Sequence, residues 1–514
     1  MPHVDKVMVT NLAVLRDKYR QRFAGVREAL RGMIAADAAR GLTTRLIGLD
    51  DARAMAGTRG RAVTDPLDPR QAKDAIDALC RHWRPDYVLI LGAPDVVPHQ
   101  DLSNPVYAPD DDDDRVVPSD LPYACEEPYG RDIARFRGPT RVVGRLPDLN
   151  GLADARYFSR VLRTAARHRR RPAGAYEACF GLTALPWRKS TALSLKQIFS
   201  ADRVLHRSPP EGPAWRPAQL GPLTHFINCH GAPADTHFYG QREDGYPKAM
   251  RADLLPGKIR EGAVIAAECC YGAQLHDPAI TGGQMGICNA YLGEGAYAFF
   301  GSSTIAYGPS EGNGSADLIT QFFVQRVLAG ASTGRAVLEA RLKFVLQSTH
   351  LDPTDLKTLG QFHLLGDPSV HVVGRATHAL QRTRAYAKVF DGRAEAVSRG
   401  QRRQRLVRDG AMLGATSGAA RPNAGLRVPP RVRRALEQAV RDSGLRPGRL
   451  FPFAVCDPAP RVLGRRRLRG TTPTAFYALT ASRRARGGAG PRRVIVVATV
   501  QGGRIVRLRR LHAR

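Results

Sequence analysis

Two short apolar stretches of this sequence each end in a side chain that can take part in nucleophilic catalysis. Residues 223–229 lead directly into His230, and residues 263–268 lead into Cys269 and Cys270. An apolar run of this length is typical of a parallel strand that is covered on both faces. Because open α/β sheets place their sites at the carboxyl ends of such strands, we expect the imidazole and a thiol to meet at one edge of one sheet.

An imidazole beside a thiol favours acyl transfer to sulfur. A free cysteine has a pKa of about 8.5, so little of it is thiolate at neutral pH. His230 would take the proton of Cys270 and later return it to the leaving amine. The backbone N–H groups of Gly231 and Cys270 are predicted to bind the oxyanion. The predicted reaction is attack on a peptide carbonyl, followed by hydrolysis of a thioacyl intermediate.

The order of these blocks resembles that of the caspase, legumain and gingipain clan of cysteine peptidases. The shared pattern is an apolar block, His-Gly, a spacer, a second apolar block, an acidic residue, a small residue and Cys, and it is most similar to the gingipain type. The resemblance spans roughly residues 1–373 and implies a cysteine endopeptidase with a caspase-like parallel sheet flanked by helices, built as two α/β subdomains. Further segments that resemble the family are 119–124, 144–147, 301–304 and 364–369.

The adjacent thiols leave two choices of nucleophile. Cys269 fits the small-residue position that follows Glu268, which makes Cys270 the predicted nucleophile and Cys269 the second choice. Glu268 either shapes a substrate-binding pocket or only forms hydrogen bonds at the end of its strand. The resemblance implies cleavage after basic residues with the help of an acidic pocket, whose residue the sequence does not identify.

Two structural explanations compete with catalysis at these residues. Cys229, Cys269 and Cys270 could be small buried apolar side chains, as free cysteines often are. Alternatively, they could bind a metal with His225 and His230, although the spacing of a zinc site is absent. Neighbouring strand residues also alternate between faces, so the two histidines need not point the same way.

A run of five aspartates, 110–114, has three interpretations. Repulsion between packed carboxylates favours an exposed, solvated loop. Gingipain relatives bind calcium, and Asp110, Asp112 and Asp114 would be the ligands here, because Ca²⁺ takes several carboxylate oxygens. The third hypothesis is that the run pairs with the arginine-rich tail. No cofactor is required by the predicted reaction.

The 514 residues are too many for one ordinary core, and their charge is unevenly distributed. The net charge is +31, and residues 375–514 hold 33 of the 78 basic side chains but 6 of the 47 acidic ones. We predict an N-terminal α/β subdomain at 1–150, a catalytic subdomain at 151–374, an arginine-rich linker at 375–428 and a small basic α+β module at 429–514. A tail of this charge is expected to bind polyanions at low salt.

Alternation of strands and helices predicts the parallel sheet that positions the site. The predicted strands are 7–10, 45–49, 86–92, 178–182 and 361–373, and the predicted helices are 12–38, 68–83, 152–169, 190–199, 315–328 and 333–347. In the basic module we predict a helix at 430–443 and four strands, the last two joined by a hairpin turn at 501–504.

The remaining sequence signals concern the compartment and the partners. The chain has no apolar run of the ~18 residues needed to span a bilayer. Its first residues lack a secretory signal, which departs from the gingipains, many of which are exported. Eight scattered cysteines do not form a disulfide framework, so we expect a cytoplasmic protein with reduced thiols. The predicted partner is a protein or peptide substrate. The alternative function is a non-catalytic caspase-like scaffold, or a polyanion-binding protein that acts through the basic module.

Overall fold

The computed structural model describes residues 4–348, 350–374, 417–456, 474–483 and 492–514, with the single residues 408, 410 and 412. The fold is α/β: a large, mostly parallel sheet is flanked by helices, and a separate sheet lies toward the C-terminus. This confirms the predicted fold class at that level. The predicted linker at 375–428 lies largely outside the described residues.

The strands are numbered in chain order. They are β1 Lys6–Thr10, β2 Thr44–Gly48, β3 Tyr87–Leu91, β4 Gln100–Ser103, β5 Val116–Ser119, β6 Val143–Leu146, β7 Cys179–Ala184, β8 Leu205–Ser208, β9 Thr224–Asn228, β10 His230–Gly231, β11 His237–Tyr239, β12 Lys248–Arg251, β13 Val264–Ala267, β14 Ala298–Ser302, β15 Tyr307–Gly308, β16 His350–Leu351, β17 Phe362–Leu365, β18 Gly418–Pro422, β19 Leu450–Cys456, β20 Thr474–Arg483, β21 Arg492–Gln501 and β22 Arg504–Ala513.

The α-helices are numbered in the same way. They are α1 Leu12–Tyr19, α2 Phe23–Ala39, α3 Ala52–Ala56, α4 Pro69–Trp83, α5 Ala155–Ala166, α6 Arg188–Phe199, α7 Pro217–Leu220, α8 Ile287–Gly293, α9 Ala316–Leu328, α10 Thr333–Leu346, α11 Pro353–Gln361 and α12 Pro430–Arg441.

The large sheet has the strand order β2-β1-β3-β6-β17-β14-β13-β9-β7-β8. Strand β17 runs parallel to β6 but antiparallel to β14, so the two halves of the sheet run in opposite directions. A wholly parallel sheet was predicted, and the reversal at β17 is the exception. Strands β9 and β13 are parallel neighbours, and Ile227 pairs with Ala267 at their carboxyl ends. This register brings the residues that follow both strands to the same edge.

Strand β13 is apolar throughout because both of its faces are covered. Val264 and Ala266 pack into one core cluster, whereas Ile265 and Ala267 pack into the other. Side chains alternate between faces along a strand, so each cluster receives every second residue. The alternation continues past the strand and separates the two cysteines, as described below.

Most predicted elements occur within a few residues of the expected bounds. One predicted helix is divided into two in the structure. Helix α4 begins as predicted, because the Asp68 side chain accepts hydrogen bonds from the N–H groups of Arg70 and Gln71 and proline stands at the first helical position. The predicted single helix at 12–38 is wrong. The chain breaks near Arg20, whose φ of 45° is not helical, into α1 and α2.

The second sheet joins the basic module to the body. Its order is β15-β22-β21-β20-β19-β18-β16, so both edge strands come from the body and the middle comes from the module. Helix α12 covers one face with Val432, Leu436 and Val440, which pack with apolar residues of β20 and β21. The predicted hairpin between β21 and β22 is present. Strand β18 lies inside the segment predicted to be a linker, and that prediction is wrong there.

Candidate active site

His230 lies in β10, just beyond the carboxyl end of β9, and its ring is held between two aromatic side chains. The ring centroids of Trp187 and Tyr246 lie 4.4 Å and 4.6 Å from that of His230. The Nε2 atom of His230 lies 2.9 Å from Oε1 of Gln241. Burial lowers the pKa of His230 to about 4, the hydrogen bond with Gln241 opposes this, and the charge of Arg514 adds to the lowering. The imidazole is therefore neutral at pH 7 in this arrangement.

The two adjacent thiols point into different cores. Cys269 packs into the cluster of Ile265, where its Sγ accepts a hydrogen bond from the N–H of Cys229 at 3.4 Å. Cys270 packs into the opposite cluster, where its Sγ accepts a hydrogen bond from the N–H of Ala306 at 3.2 Å. Burial raises the pKa of the Cys270 thiol to about 12, and that of Cys269 rises for the same cause.

The structure brings the backbones of Gly231 and Cys270 into contact, and the oxyanion hole stays a prediction. A Cβ on Gly231 would lie 1.8 Å from the carbonyl oxygen of Cys270, so only glycine fits at this approach. The N–H of Cys270 donates a hydrogen bond of 3.2 Å to the main-chain carbonyl oxygen of Arg514. A main-chain carbonyl oxygen therefore accepts from one of the two N–H groups that are predicted to bind the oxyanion.

The segment that supplies this carbonyl is the end of β22. This strand pairs antiparallel with β15, with Ala513 opposite Tyr307 and His512 opposite Gly308. The N–H of Arg514 continues the ladder by donating to the carbonyl oxygen of Ala306 at 3.0 Å. An extended segment that adds a strand to a sheet edge is one of the standard ways in which a peptide is bound.

The side chain of Arg514 fills a buried acidic pocket. Its Nη2 donates to Oδ1 of Asp317 at 2.7 Å and to the carbonyl oxygen of Pro309 at 3.2 Å, and its Nη1 lies 3.3 Å from Oε2 of Glu268. The guanidinium carbon lies 4.9 Å from the ring centroid of Trp187, a cation–π distance. Both carboxylates and the guanidinium are fully buried. Glu268 is thus part of a pocket, as one of its two interpretations requires.

The two carboxyl groups of the pocket share one environment. Burial raises the pKa of Glu268 well above its ordinary value, the neighbouring Asp317 raises it further, and the charge of Arg514 opposes both. Burial also raises the pKa of Asp317, and Arg514 again opposes the shift. A bound guanidinium therefore favours the ionised form of both groups.

Sequence reasoning missed Asp317, Trp187 and Gly308, which complete the pocket. Asp317 lies in the first turn of α9, a helix that was predicted from apolar spacing alone, and Trp187 ends the short turn Leu185–Trp187 before α6. A Cβ on Gly308 would lie 2.0 Å from Nη2 of Arg514, so a side chain there would displace the guanidinium. The sequence holds no local signal for these positions because they meet only through the fold.

The aspartate run is buried at its second and third residues. Asp112 is fully buried, and its Oδ2 accepts hydrogen bonds from Lys357 and from Tyr307, the latter at 3.0 Å. Asp111 is also buried and accepts from the hydroxyl of Thr480. The exposed-loop prediction is wrong for Asp111 and Asp112, whose carboxylates have partners that offset their repulsion and desolvation, whereas Asp110 and Asp113 are exposed.

The contacts of the run fit the third hypothesis, in which it pairs with the basic tail. Arg493 forms an ion pair of 2.9 Å with Asp113, and the hydroxyl of Ser482 donates to the carbonyl oxygen of Asp110 at 2.8 Å. Asp114 accepts from the hydroxyl of Tyr271 at 2.9 Å. Calcium at Asp110, Asp112 and Asp114 stays a prediction, and in the part of the chain described no group of three or more His, Cys, Asp or Glu is arranged to hold a metal.

His225 does not join His230. It is buried on the other face of the sheet, where its Nδ1 lies 2.9 Å from the hydroxyl of Tyr291. Two backbone carbonyls contact its Nε2, at 3.0 Å and 3.2 Å. His225 is therefore a core histidine with hydrogen-bond partners.

No protein-family model matches the chain, and a search of curated proteins finds no significant match. Among the described residues, no helix is both long enough and apolar enough to cross a membrane.

Proposed function

We propose that this chain is a cysteine endopeptidase of the gingipain-like type that the sequence resembles, with Cys270 as the nucleophile and His230 as the general base and acid. One observation carries the proposal. The N–H of Cys270 donates to the carbonyl oxygen of Arg514, whose segment is paired with a strand edge as a peptide substrate would be. The N–H of Cys270, its thiol and a paired extended segment lie at one sheet edge, which supports a substrate-binding role for that edge.

The mechanism begins with a substrate strand bound along β15. Its scissile carbonyl accepts hydrogen bonds from the N–H groups of Cys270 and Gly231, which stabilise the negative charge that develops on oxygen. The sulfur of Cys270 attacks the carbonyl carbon as His230 takes the thiol proton. His230 then protonates the leaving amine, and water hydrolyses the thioester by the reverse proton transfers.

The acidic pocket supports a preference for arginine on the amino side of the scissile bond. Glu268 and Asp317 supply two carboxylates, Pro309 supplies a carbonyl, and Trp187 supplies an aromatic face, which together match a planar guanidinium. A lysine ammonium is a point charge and would make fewer of these contacts. We therefore propose arginine over lysine, and both over uncharged residues.

The alternative is a non-catalytic scaffold with the same fold. It is favoured by the hydrogen bonds of His230 with Gln241 and of the Cys270 thiol with Ala306, which leave the two reactive groups paired elsewhere. In apo enzymes such catalytic contacts are often long or misaligned and tighten only when substrate binds. We propose a reducing, cytoplasmic compartment for both the peptidase and the scaffold, because the cysteines of the body, including Cys269 and Cys270, are free thiols.

The test is hydrolysis of a fluorogenic peptide with arginine before the scissile bond, compared with peptides carrying lysine or leucine there. We expect cleavage in the order arginine, lysine, leucine, and loss of cleavage in Cys270→Ala. Cys269→Ala is the matched control, because it removes a neighbouring buried thiol from the opposite core. Equal cleavage by Cys270→Ala and wild type would show that Cys270 is not the nucleophile. Cleavage of none of the peptides, either by wild type or by Arg514→Ala, in which the guanidinium no longer fills the pocket, would favour the scaffold.

A further inference from the structure

We propose that the end of β22 together with Arg514, residues 511–514, is a built-in inhibitor that occupies the substrate cleft and must leave before a substrate binds. This segment is called the arm below. The proposal rests on the proposed function, because that function identifies the cleft as the place where a substrate binds. That the arm occupies this cleft follows from its contacts alone. These contacts are made by the backbone of the arm, by the side chain of Arg514 and by the residues that hold the arm in place.

The backbone of the arm makes the contacts that a substrate needs. The N–H of Arg514 donates to the carbonyl of Ala306 at 3.0 Å, and its carbonyl accepts from Cys270 at 3.2 Å. Ala306 also donates its own N–H to the thiol of Cys270. A substrate cannot use β15 and the N–H of Cys270 while the arm holds both.

The side chain of the arm fills the specificity pocket. Arg514 is 1% exposed, and its guanidinium is fixed by Asp317, Glu268 and the face of Trp187. The space is fully used, since even one carbon on Gly308 would collide with this guanidinium. An arginine of a substrate and Arg514 therefore exclude each other.

The rest of the basic module anchors the arm. Arg509, five residues before Arg514, forms ion pairs with Asp352 and Asp355 and donates to the hydroxyl of Ser315 at 2.8 Å. The pair between Arg493 and Asp113 fixes the neighbouring strand. Because the arm is tethered, its effective concentration at the cleft reaches the millimolar range, which outcompetes a dilute substrate.

The arm also keeps the reactive pair uncharged. Burial lowers the pKa of His230, the charge of Arg514 lowers it further, and burial also raises the pKa of Cys270. Departure of the arm would remove the positive charge of Arg514 and admit water. The thiol would then ionise more readily and become more reactive.

The test is the rate at which iodoacetamide labels Cys270, followed by peptide mapping. We expect Arg514→Ala to raise this rate by about 10²-fold, because the tethered competitor loses its main anchor in the cleft. Arg504→Ala is the matched control, since it removes an exposed arginine from the same strand and should leave the rate unchanged. A rate for Arg514→Ala equal to those of wild type and control would overturn the proposal.

A second variant guards against a folding defect in Arg514→Ala. Gly308→Val places a side chain where the guanidinium lies and leaves Glu268 and Asp317 unchanged, so it should expel the arm and raise the labelling rate as well. Circular dichroism establishes that each variant is folded. Folded Gly308→Val with the wild-type labelling rate would count against the arm.

Hydrolysis of the arginine peptide separates this proposal from the proposed function. Faster labelling of Arg514→Ala without any hydrolysis would support the inhibitory arm and contradict the peptidase proposal. If wild type and Arg514→Ala hydrolyse the peptide at the same rate, the peptidase proposal is supported and the inhibitory arm is contradicted. Faster labelling together with faster hydrolysis supports both.

Discussion

Two thiols that are neighbours in sequence lie in two different regions of this molecule. Cys269 belongs to the core on one face of the large sheet, where its neighbours are apolar side chains and the backbone of Cys229. Cys270 belongs to the other face, beside the carbonyl of Arg514, the backbone of Ala306 and the pocket wall. Both thiols are buried, so burial does not distinguish them. What distinguishes Cys270 is the polar edge beside it, where β22 and Arg514 pair with β15.

The largest expected effect is the loss of activity when Cys270 is removed. Cys270→Ala should lower kcat/KM for the arginine peptide by about 10³-fold or more, because no acyl acceptor remains. Cys269→Ala should change kcat/KM little. The measurement is steady-state hydrolysis by both variants in the Arg514→Ala background, where the cleft is open. The comparison of the two thiols fails if Cys269→Ala is the inactive one.

The second effect concerns His230, the proposed general base, whose ring contacts Trp187 and Tyr246. His230→Ala should lower kcat by about 10²- to 10⁴-fold, as expected for loss of a general acid and base. His225→Ala, on the opposite face, is the control for loss of a buried imidazole and should affect stability more than kcat. Equal losses of kcat in both variants would show that stability, and not proton transfer, sets the rate.

The third effect tests the acidic pocket. Glu268→Gln should weaken binding of the arginine peptide by about 2 to 5 kcal/mol, because it removes one partner of a buried charge pair, while leucine peptides are unaffected. Since the guanidinium lowers the raised pKa values of Glu268 and Asp317, KM for arginine peptides should also fall as pH rises. A KM for arginine peptides that is independent of pH, or equal losses for arginine and leucine peptides, would contradict the pocket assignment.

The smallest effect is on stability in acid. Burial lowers the pKa of His225 to about 4 and that of His363 to about 3, so the unfolded chain binds protons that the folded chain does not. Stability is then fully present above about pH 6.5 and declines as pH falls, by at most about 1.4 kcal/mol per pH unit for each histidine. Urea unfolding at pH 7 and pH 5 measures this. Equal free energies of unfolding at the two values would contradict it.

Local sequence patterns predicted much of the fold and the part of the site that follows β9 and β13. Apolar runs identified β9 and β13, and the rule for carboxyl ends of parallel strands brought the residues after them to one edge. The Asp-Pro pair predicted the start of α4 because capping is a local interaction. These features depend on a few consecutive residues, which is why one sequence suffices for them.

The pocket and the arm were not predictable in this way. Asp317 and Trp187 are distant in sequence from Glu268, and Arg514 belongs to a module whose charge gave no sign of this pocket. The favoured interpretation of the aspartate run, a solvated loop, failed at Asp111 and Asp112 for the same reason, since the partners Lys357 and Thr480 come from remote segments, whereas pairing with the tail was among the interpretations. Composition reports the charge of a segment, but only the tertiary fold determines what that charge pairs with.

The central claim is that Cys270, and not Cys269, is the nucleophile at a cleft that takes arginine. The most direct measurement is covalent trapping with a peptidyl acyloxymethyl ketone that carries arginine beside the reactive group, followed by mass-spectrometric mapping in the Arg514→Ala variant. We predict one adduct on Cys270, which is lost in His230→Ala and prevented by excess arginine peptide. An adduct on Cys269, or no adduct on either thiol, would contradict the claim.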